Sequence, residues 1–216
     1  MSASHRAQDG PAAARRVLNV GGNSKRIPIP AHYDGWEHHL LDIDPAGAPD
    51  IVCDAREMTG LPAGRYAAIY CSHNLEHYYR HDLPRVLAGF LHVLAPDGFA
   101  DIRVPDMKAV FGEVLARDLD IDDVLYESPA GPITVGDVIY GFDRKIAETG
   151  RDFYAHRNGF MHRSLVRVLR TAGFSTVFLG SQPLAFEISA LAFKQEPSPE
   201  QRALLGLPPP ARHSPT

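Results

Sequence analysis

The chain has 216 residues, of which 44% are hydrophobic and 22% charged, and its formal net charge is −4. These values indicate one globular core and give no support to general nucleic-acid binding. No apolar run approaches the roughly 18 residues that a membrane span needs. Residues 1–15 lack the apolar segment of a signal peptide, so we expect a disordered leader on a cytoplasmic protein. The two cysteines lie in apolar runs and are expected to be buried free thiols.

Five short apolar runs, each ending in small or acidic residues, are typical of buried parallel strands. They are RRVLNVGG, HHLLDID, DIVCDA, YAAIYCS and GFADIRVPD. Between the last two, helical spacing of apolar residues predicts a helix with Asp82 as its N-cap, which P-D-G stops. A second predicted helix ends at Gly173 and precedes the strands STVFLG and AFEISALAF. This alternation predicts an α/β fold with a doubly wound, Rossmann-like, mostly parallel sheet that binds its ligand at the C-terminal strand ends.

Residues 105–160 interrupt the alternation between the fifth strand and the last crossover helix. We interpret them as an inserted lid over the ligand edge, within a domain that spans residues 16–195. The second half of the insertion is basic and aromatic. We expect its rings, Phe153, Tyr154 and Phe160, to pack on a ligand and its arginines to favour an anionic one; a solvated surface or a homodimer contact is the alternative. The proline-rich tail, residues 196–216, is expected to be disordered, with a short helix around QRALLG.

The run HNLEH contains His73, Glu76 and His77 in the H-x-x-E-H order of a zinc-peptidase signature. That signature needs both histidines on one helix, so that their side chains converge on the ion. The strand-like run YAAIYCS places His73 on a strand-to-helix turn instead. The later segments offer no obvious third ligand, although Glu113 and Glu127 stay open. We therefore expect no metal at HNLEH and keep a zinc hydrolase as the lesser alternative.

A glycine pair, Gly21 and Gly22, follows the first strand, and the prolines of KRIPIP disfavour a helix after it. A cofactor without phosphates suits this short connection better than a dinucleotide does. The second strand ends in Asp42 or Asp44, where a carboxylate can accept hydrogen bonds from ribose hydroxyls. The third strand ends in Asp54, which is followed by Ala55, and this pair can contact an adenine edge.

Five of these pieces resemble, in order and spacing, the class I S-adenosylmethionine-dependent methyltransferases. They are LNVGGN, LDID, DIVCDA, IYCSHNLEH and LAPDG, over residues 17 to about 104. The resemblance is closest to the small bacterial group related to the type 11 methyltransferase domain. It implies S-adenosylmethionine as cofactor, with the following contacts: Asn19, Gly21 and Gly22 at the methionine end, Asp42 at the ribose, Asp54 and Ala55 at the adenine, and Ser72 near the methyl group.

The same resemblance implies that His73 and Asn74 lie where cofactor and acceptor meet. Because oxygen acceptors need a base, the histidines favour O-methylation of a small, anionic or sugar-like acceptor. We predict His73 and His156 as catalytic residues, and Asn74, Tyr154 and Arg157 as acceptor contacts. Asn19 replaces a common acid and Asn23 a common glycine, which favours a non-catalytic S-adenosylmethionine-binding partner protein as the main alternative.

Overall fold

The computed structural model describes residues 15–128, 131–182 and 185–210, so the predicted leader lies outside it except for Arg15. The strands are β1 (Arg16–Val20), β2 (Glu37–Asp42), β3 (Ile51–Val52), β4 (Tyr66–Ser72), β5 (Leu94–Pro105), β6 (Val124–Ser128), β7 (Gly131–Thr134), β8 (Thr176–Gln182) and β9 (Glu187–Phe193). The α-helices are α1 (Leu83–Val93), α2 (Met107–Arg117), α3 (Val135–Tyr140), α4 (Asp143–Thr149), α5 (His162–Ala172) and α6 (Pro199–Leu204). Short 3₁₀ helices cover Ala31–Tyr33, Pro45–Gly47, Ala55–Gly60, Leu75–His77 and Asp152–Tyr154.

Seven strands form one sheet in the order β3-β2-β1-β4-β5-β9-β8. Strands β1 to β5 are parallel, whereas β9 runs antiparallel to both β5 and β8. The predicted doubly wound, mostly parallel sheet is confirmed. Because β9 is reversed, its first residue, Glu187, pairs with Pro105 at the end of β5 and so lies at the ligand edge.

Helices α1 and α5 cover one face of the sheet. In α1, Val86, Leu87 and Phe90 are fully buried, as their helical spacing predicts. Gly89 lets this helix approach closely, since a Cβ there would lie 2.7 Å from the Cβ of Met58. Asp82 occupies the predicted N-cap position but makes no capping hydrogen bond. The predicted N-cap position is thus confirmed, although the carboxylate of Asp82 lies 3.4 Å from Arg56 instead of capping the helix.

The tail continues the folded domain past residue 195. Ser198 caps α6 by accepting a hydrogen bond from the backbone N–H of Gln201 at 3.2 Å, and Arg202 is buried and pairs with Glu196. Leu205 and Leu207 pack against the second face of the sheet. The predicted disorder is therefore wrong up to this point, because a capped turn and two leucines outweigh the prolines. The predicted short helix is confirmed, and residues 211–216 lie outside the described part of the chain.

The insertion between β5 and α5 contains α2, the antiparallel pair β6–β7, α3 and α4. It has a small apolar cluster of its own, formed by Val110, Leu125, Ile133, Val135 and Val138. It rejoins the sheet through the carbonyl oxygen of Glu76, which accepts hydrogen bonds from the backbone N–H groups of Arg157 at 2.8 Å and Asn158 at 3.1 Å. Both cysteines are free thiols. Among the described helices, none has the length and apolar character that crossing a bilayer requires.

Candidate functional site

Two cavities lie between the C-terminal ends of the parallel strands and the insertion. The larger has a volume of about 930 Å³ and the smaller about 180 Å³. They share the lining residues Asn23, Asp44, His73, His77 and Tyr154. Small-molecule sites typically measure roughly 300–1,000 Å³, so the larger cavity has the size of a ligand site and the smaller one is below that range.

The turn after β1 is built from two glycines and two asparagines. Gly21 has a φ of +72°, a left-handed conformation that glycine adopts without strain, and its N–H donates to the carbonyl of Leu41 at 2.8 Å. A Cβ on Gly22 would lie 2.1 Å from Nδ2 of Asn19, and one on Gly21 would lie 2.1 Å from Nδ2 of Asn74. Asn19 is buried, and its Oδ1 has no hydrogen-bond partner. Of this turn, Gly21 lines the smaller cavity, whereas Asn19 and Gly22 line neither cavity, so the unpaired acceptor atom of Asn19 lies next to the turn and not at the cavity surface.

Asp42 lies at the end of β2, nearly buried, with its carboxylate held by the backbone. Its Oδ2 accepts from the N–H of Asn23 at 2.8 Å, and its Oδ1 from the N–H of Asp44 at 2.9 Å. Each carboxylate oxygen has a second lone pair, so both can still accept a hydroxyl hydrogen bond. Asn23 has a φ of +58°, which asparagine tolerates better than most residues. This conformation explains why asparagine can stand where the resemblance expects glycine.

Asp54 lines the smaller cavity, but its charge is paired. Its carboxylate lies 2.6 Å from Arg56 and also caps the 3₁₀ helix by accepting from the N–H of Arg56. Burial opposes ionisation of Asp54, yet the hydrogen bonds from Arg56 hold its pKa below the usual value. Ala55 is buried, and neither it nor Ser72 lines the two cavities. The predicted adenine and methyl contacts of these residues stay predictions.

His73 stands between two glutamates at the end of β4. Its Nε2 is 3.1 Å from Glu187 and its Nδ1 is 3.4 Å from Glu76. Desolvation alone would lower the pKa of His73, but the interactions with Glu187 and Glu76 outweigh it and raise that pKa to about 10. At neutral pH this imidazole is a cation and cannot accept a proton. The structure therefore argues against the predicted role of His73 as a base, while it leaves an acceptor contact possible.

His77 and His156 face each other in the wall of the larger cavity, with ring centroids 4.7 Å apart. The Nδ1 of His77 is 3.1 Å from the carbonyl oxygen of Ala155, and the Nδ1 of His156 is 2.8 Å from that of Val138. The backbone thus holds both rings. Burial lowers the pKa of His77, so its ring is neutral at pH 7.

Residues 151–157, which we call the roof segment, lie over the smaller cavity. The hydroxyl of Tyr154 is 3.3 Å from Oδ2 of Asp44, and Arg151 forms an ion pair with the same carboxylate. Arg157 instead pairs with Asp152 at 2.7 Å. Of the predicted acceptor contacts, Asn74 and Arg157 line only the smaller cavity, whereas Tyr154 lines both.

Two further expectations about the insertion need correction. Phe160, expected to pack on a ligand, is 3% exposed and belongs to the main core, because the chain there turns into α5 beneath the sheet edge. Arg157 also lies over the ring of Tyr79, with its guanidinium 5.0 Å from the ring centroid, so it is not a free anion contact. Lys145 does line the larger cavity and forms no ion pair with any described residue.

Glu187 is the site residue that the sequence analysis missed. It is 7% exposed and contacts both His73 and Arg103. No local pattern marks it, because it reaches the ligand edge only through the antiparallel direction of β9. Glu76 was recognised in HNLEH, but its nearly complete burial, at 1% exposure, was not foreseen.

No protein-family profile matches the sequence, and no curated protein matches it. Solved structures do resemble the fold. An S-adenosylmethionine-dependent methyltransferase from Archaeoglobus fulgidus superposes with a TM-score of 0.53 at 15% identity, covering 84% of this chain and 87% of that chain. A second such methyltransferase, from Methanosarcina mazei, gives 0.52 at 13% identity, covering 84% and 92%. A protein from Pyrococcus horikoshii gives 0.54 at 13% identity, covering 84% and 82%. The chain thus has the fold of the class I S-adenosylmethionine-dependent methyltransferases.

Proposed function

We propose that this protein is an S-adenosylmethionine-dependent methyltransferase that methylates an oxygen of a small acceptor. The observation that carries the proposal is the alignment of three features at one sheet edge. These are the left-handed turn at Gly21, the unpartnered Oδ1 of Asn19 beside it, and the carboxylate of Asp42 at the end of the next strand. The fold adds support, since its parallel strands bring all three to the same edge.

The residues fit the cofactor as follows. Asn19 and the turn at Gly21 and Gly22 hold its amino-acid end, because the buried Oδ1 can accept from an ammonium group. Asp42 accepts from the ribose hydroxyls, and its two backbone hydrogen bonds fix its orientation. When bound, S-adenosylmethionine supplies an electrophilic methyl group on a sulfonium. The smaller cavity has to widen to admit it, so the roof segment moves during binding.

The larger cavity takes the acceptor. Its wall is apolar at Ile133, Val138 and Phe142 and charged at Lys145, which suits a small organic molecule with a negative group. The base moves from the predicted His73 to the imidazoles of His77 and His156. His77 supports this assignment because burial keeps it neutral, so that it can accept a hydroxyl proton.

The first test is calorimetric titration of the full chain with S-adenosylhomocysteine. We expect one site per chain with a dissociation constant in the range of about 1–100 µM. The second step incubates the protein with methyl-labelled cofactor and a panel of hydroxylated carboxylates, sugar acids and phosphorylated sugars. Labelled product that depends on an ionised or hydroxyl-bearing acceptor supports the proposal. Absence of binding at about 1 mM S-adenosylhomocysteine contradicts the cofactor assignment.

A non-catalytic cofactor-binding partner is the second candidate, favoured by the ion pair that already occupies Asp54 and by the narrow smaller cavity. The same titration separates the two candidates. Tight binding of S-adenosylhomocysteine without label transfer to any acceptor class, combined with copurification of a second protein, favours the partner role.

A further inference from the structure

A set of groups that methyl transfer by itself does not require lies at the larger cavity, whose wall contains His77 and His156 but not the buried Glu76. Glu76, His77 and His156 each place one ligand atom within 4.8 Å of the others. Zinc binds imidazole nitrogens and carboxylate oxygens at about 2.0–2.2 Å, so these three groups need only a modest side-chain adjustment to meet on one ion. His77 and His156 come from segments about 80 residues apart, which places this convergence in the tertiary fold and not in one local motif.

Both histidines are held in the form that binds metals. Each Nδ1 lies within hydrogen-bond distance of a backbone carbonyl, that of Ala155 for His77 and that of Val138 for His156. A carbonyl only accepts hydrogen bonds, so each Nδ1 donates, and in an uncharged imidazole the lone pair is then on Nε2. Metal-binding histidines typically donate their second ring nitrogen to a carboxylate or a backbone carbonyl in this way.

Glu76 supplies the negative charge, and it faces the His73 imidazole on one side. It is 1% exposed, and neither of its oxygens accepts a hydrogen bond in the described structure. The nearest cation, His73, faces one oxygen at 3.4 Å in a geometry that makes no hydrogen bond. A buried carboxylate without such bonds is costly, because its lost hydration is not replaced. An ion bound at the second oxygen removes that cost.

We propose that Glu76, His77 and His156 form a binding site for one divalent transition-metal ion of the zinc type, at the wall of the larger cavity. Two imidazoles with one carboxylate select such an ion over magnesium or calcium, which bind oxygen ligands. Three protein ligands leave at least one coordination position for water or a ligand oxygen. Within the proposed function, that position suits an acceptor hydroxyl, whose pKa a bound ion lowers. The ion then replaces His77 and His156 as the group that activates the acceptor, because the Nε2 lone pairs of both rings are used in coordination. The binding site itself does not rest on methyl transfer.

This site differs from the H-x-x-E-H arrangement considered for HNLEH. His73 does not belong to it, because Glu187 holds its ring on the other side, and the third ligand comes from the insertion. His73 and His77 do not lie on one helix, so they still do not form the histidine pair that the H-x-x-E-H signature needs. The sequence prediction of no metal in this run rested on the strand directly before His73 and on the lack of an obvious third ligand. The proposed site leaves His73 out and takes His156 as its third ligand.

The test measures metal binding without turnover. Full-length protein is treated with a chelator, exchanged into metal-free buffer and titrated with Zn²⁺ in competition with a chromophoric chelator. We expect one equivalent of Zn²⁺ with a dissociation constant below about 1 µM. Co²⁺ in place of Zn²⁺ should give visible absorption bands of a nitrogen- and oxygen-coordinated ion. Loss of outer hydrogen-bond partners alone costs roughly 10–100-fold in metal affinity, so loss of a ligand should cost at least as much.

His156→Ala and Glu76→Gln should therefore weaken Zn²⁺ binding by more than about ten-fold. The matched control is His81→Ala, since this histidine lies in the same run, is 80% exposed and stands apart from the cluster. Circular dichroism checks that each variant folds, and if Glu76→Gln does not, His156→Ala decides. The proposal is overturned if the wild type takes up less than one equivalent, or if folded His156→Ala binds Zn²⁺ as tightly as His81→Ala does. Neither result bears on S-adenosylhomocysteine affinity, so failure here is distinguishable from failure of the proposed function.

Discussion

The sheet and the insertion meet at the same site but are built differently. Against the sheet, helix α1 buries Leu87 and Phe90 completely. The insertion has a cluster of five buried apolar residues and leaves Leu115 at 83% and Tyr140 at 65% exposure. It closes over the sheet mainly through polar contacts, which contribute less free energy than core burial does. The comparison teaches that the apolar burial that stabilises the fold is concentrated at the sheet, whereas the insertion is held over the site by contacts of smaller free energy.

The largest expected effect comes from removing a side chain that packs against the sheet. Phe90→Ala removes a fully buried ring and should lower the free energy of unfolding by about 3–5 kcal/mol, through lost burial and a cavity. Leu115→Ala in the insertion should change it by less than about 0.5 kcal/mol. Urea denaturation followed by circular dichroism measures both. Equal losses in the two variants would contradict the assignment of stability to the sheet.

A buried charge in the sheet gives the next effect. Asp101, on β5, is 3% exposed; burial raises its pKa to about 6, with Arg103 opposing and Glu187 adding to the rise. Folded protein therefore keeps a proton that the unfolded chain releases near pH 4, so this group's contribution to stability falls as pH rises from about 4 to about 6. Asp101→Asn should remove that fall and stabilise the protein above pH 6 by up to about 3 kcal/mol.

The measurement is the free energy of unfolding of wild type and Asp101→Asn between pH 4 and pH 8, each at matched ionic strength. Asp152→Asn in the roof segment is the control for the loss of an exposed carboxylate, because its side chain is 87% exposed. If the difference in free energy of unfolding between wild type and Asp101→Asn stays constant with pH, the pKa of Asp101 is not raised by burial.

The third prediction concerns the contribution of Asp42, at the end of β2, to cofactor affinity. Asp42→Asn replaces an oxygen that accepts a backbone N–H by an amide donor and removes the charge that faces the cofactor. S-adenosylhomocysteine affinity should fall ten- to a hundred-fold, about 1.5–3 kcal/mol, in calorimetry. Asp50→Asn is the matched control, because Asp50 also accepts a backbone N–H, from Leu40, but lines neither cavity. Equal affinity in wild type and Asp42→Asn would remove the ribose assignment.

The smallest expected effect comes from removing a contact between the roof segment and the end of the sheet. Arg151→Ala removes the ion pair with Asp44 that holds the roof segment down, a half-exposed contact worth about 0.2–1 kcal/mol. The association rate of S-adenosylhomocysteine in stopped-flow measurements should rise by a few-fold at most, about five-fold. Arg144→Ala, in the neighbouring helix α4, should leave it unchanged. A slower association in Arg151→Ala would mean that the roof segment guides the cofactor instead of covering its cavity.

The sequence predicts the sheet well because its strands are local apolar runs and its crossover helices have one apolar face. The turn at Gly21 and the carboxylate of Asp42 follow from the same local logic. Contacts across the site do not, since His73 and Glu187 are 114 residues apart. Asn23 looked like a departure in the sequence, and only its left-handed φ shows that asparagine fits there. The tail was wrongly predicted to be disordered because its composition is rich in proline. Its order depends on the packing of Leu205 and Leu207 against the folded sheet, which composition does not show.

The carbonyl oxygen of Glu76 accepts hydrogen bonds from the backbone N–H groups of Arg157 and Asn158. Hydrogen exchange at these two amides therefore reports on the attachment of the insertion. These two amides exchange with deuterium only when the end of the insertion, at residues 157 and 158, separates from the turn after β4. Amides of the central strands exchange only when the sheet itself unfolds. Protection of the Arg157 and Asn158 amides therefore measures the detachment of the insertion separately from unfolding of the sheet. A ligand that bridges both regions should slow exchange at residues 157 and 158 before it changes exchange in β1 or β4.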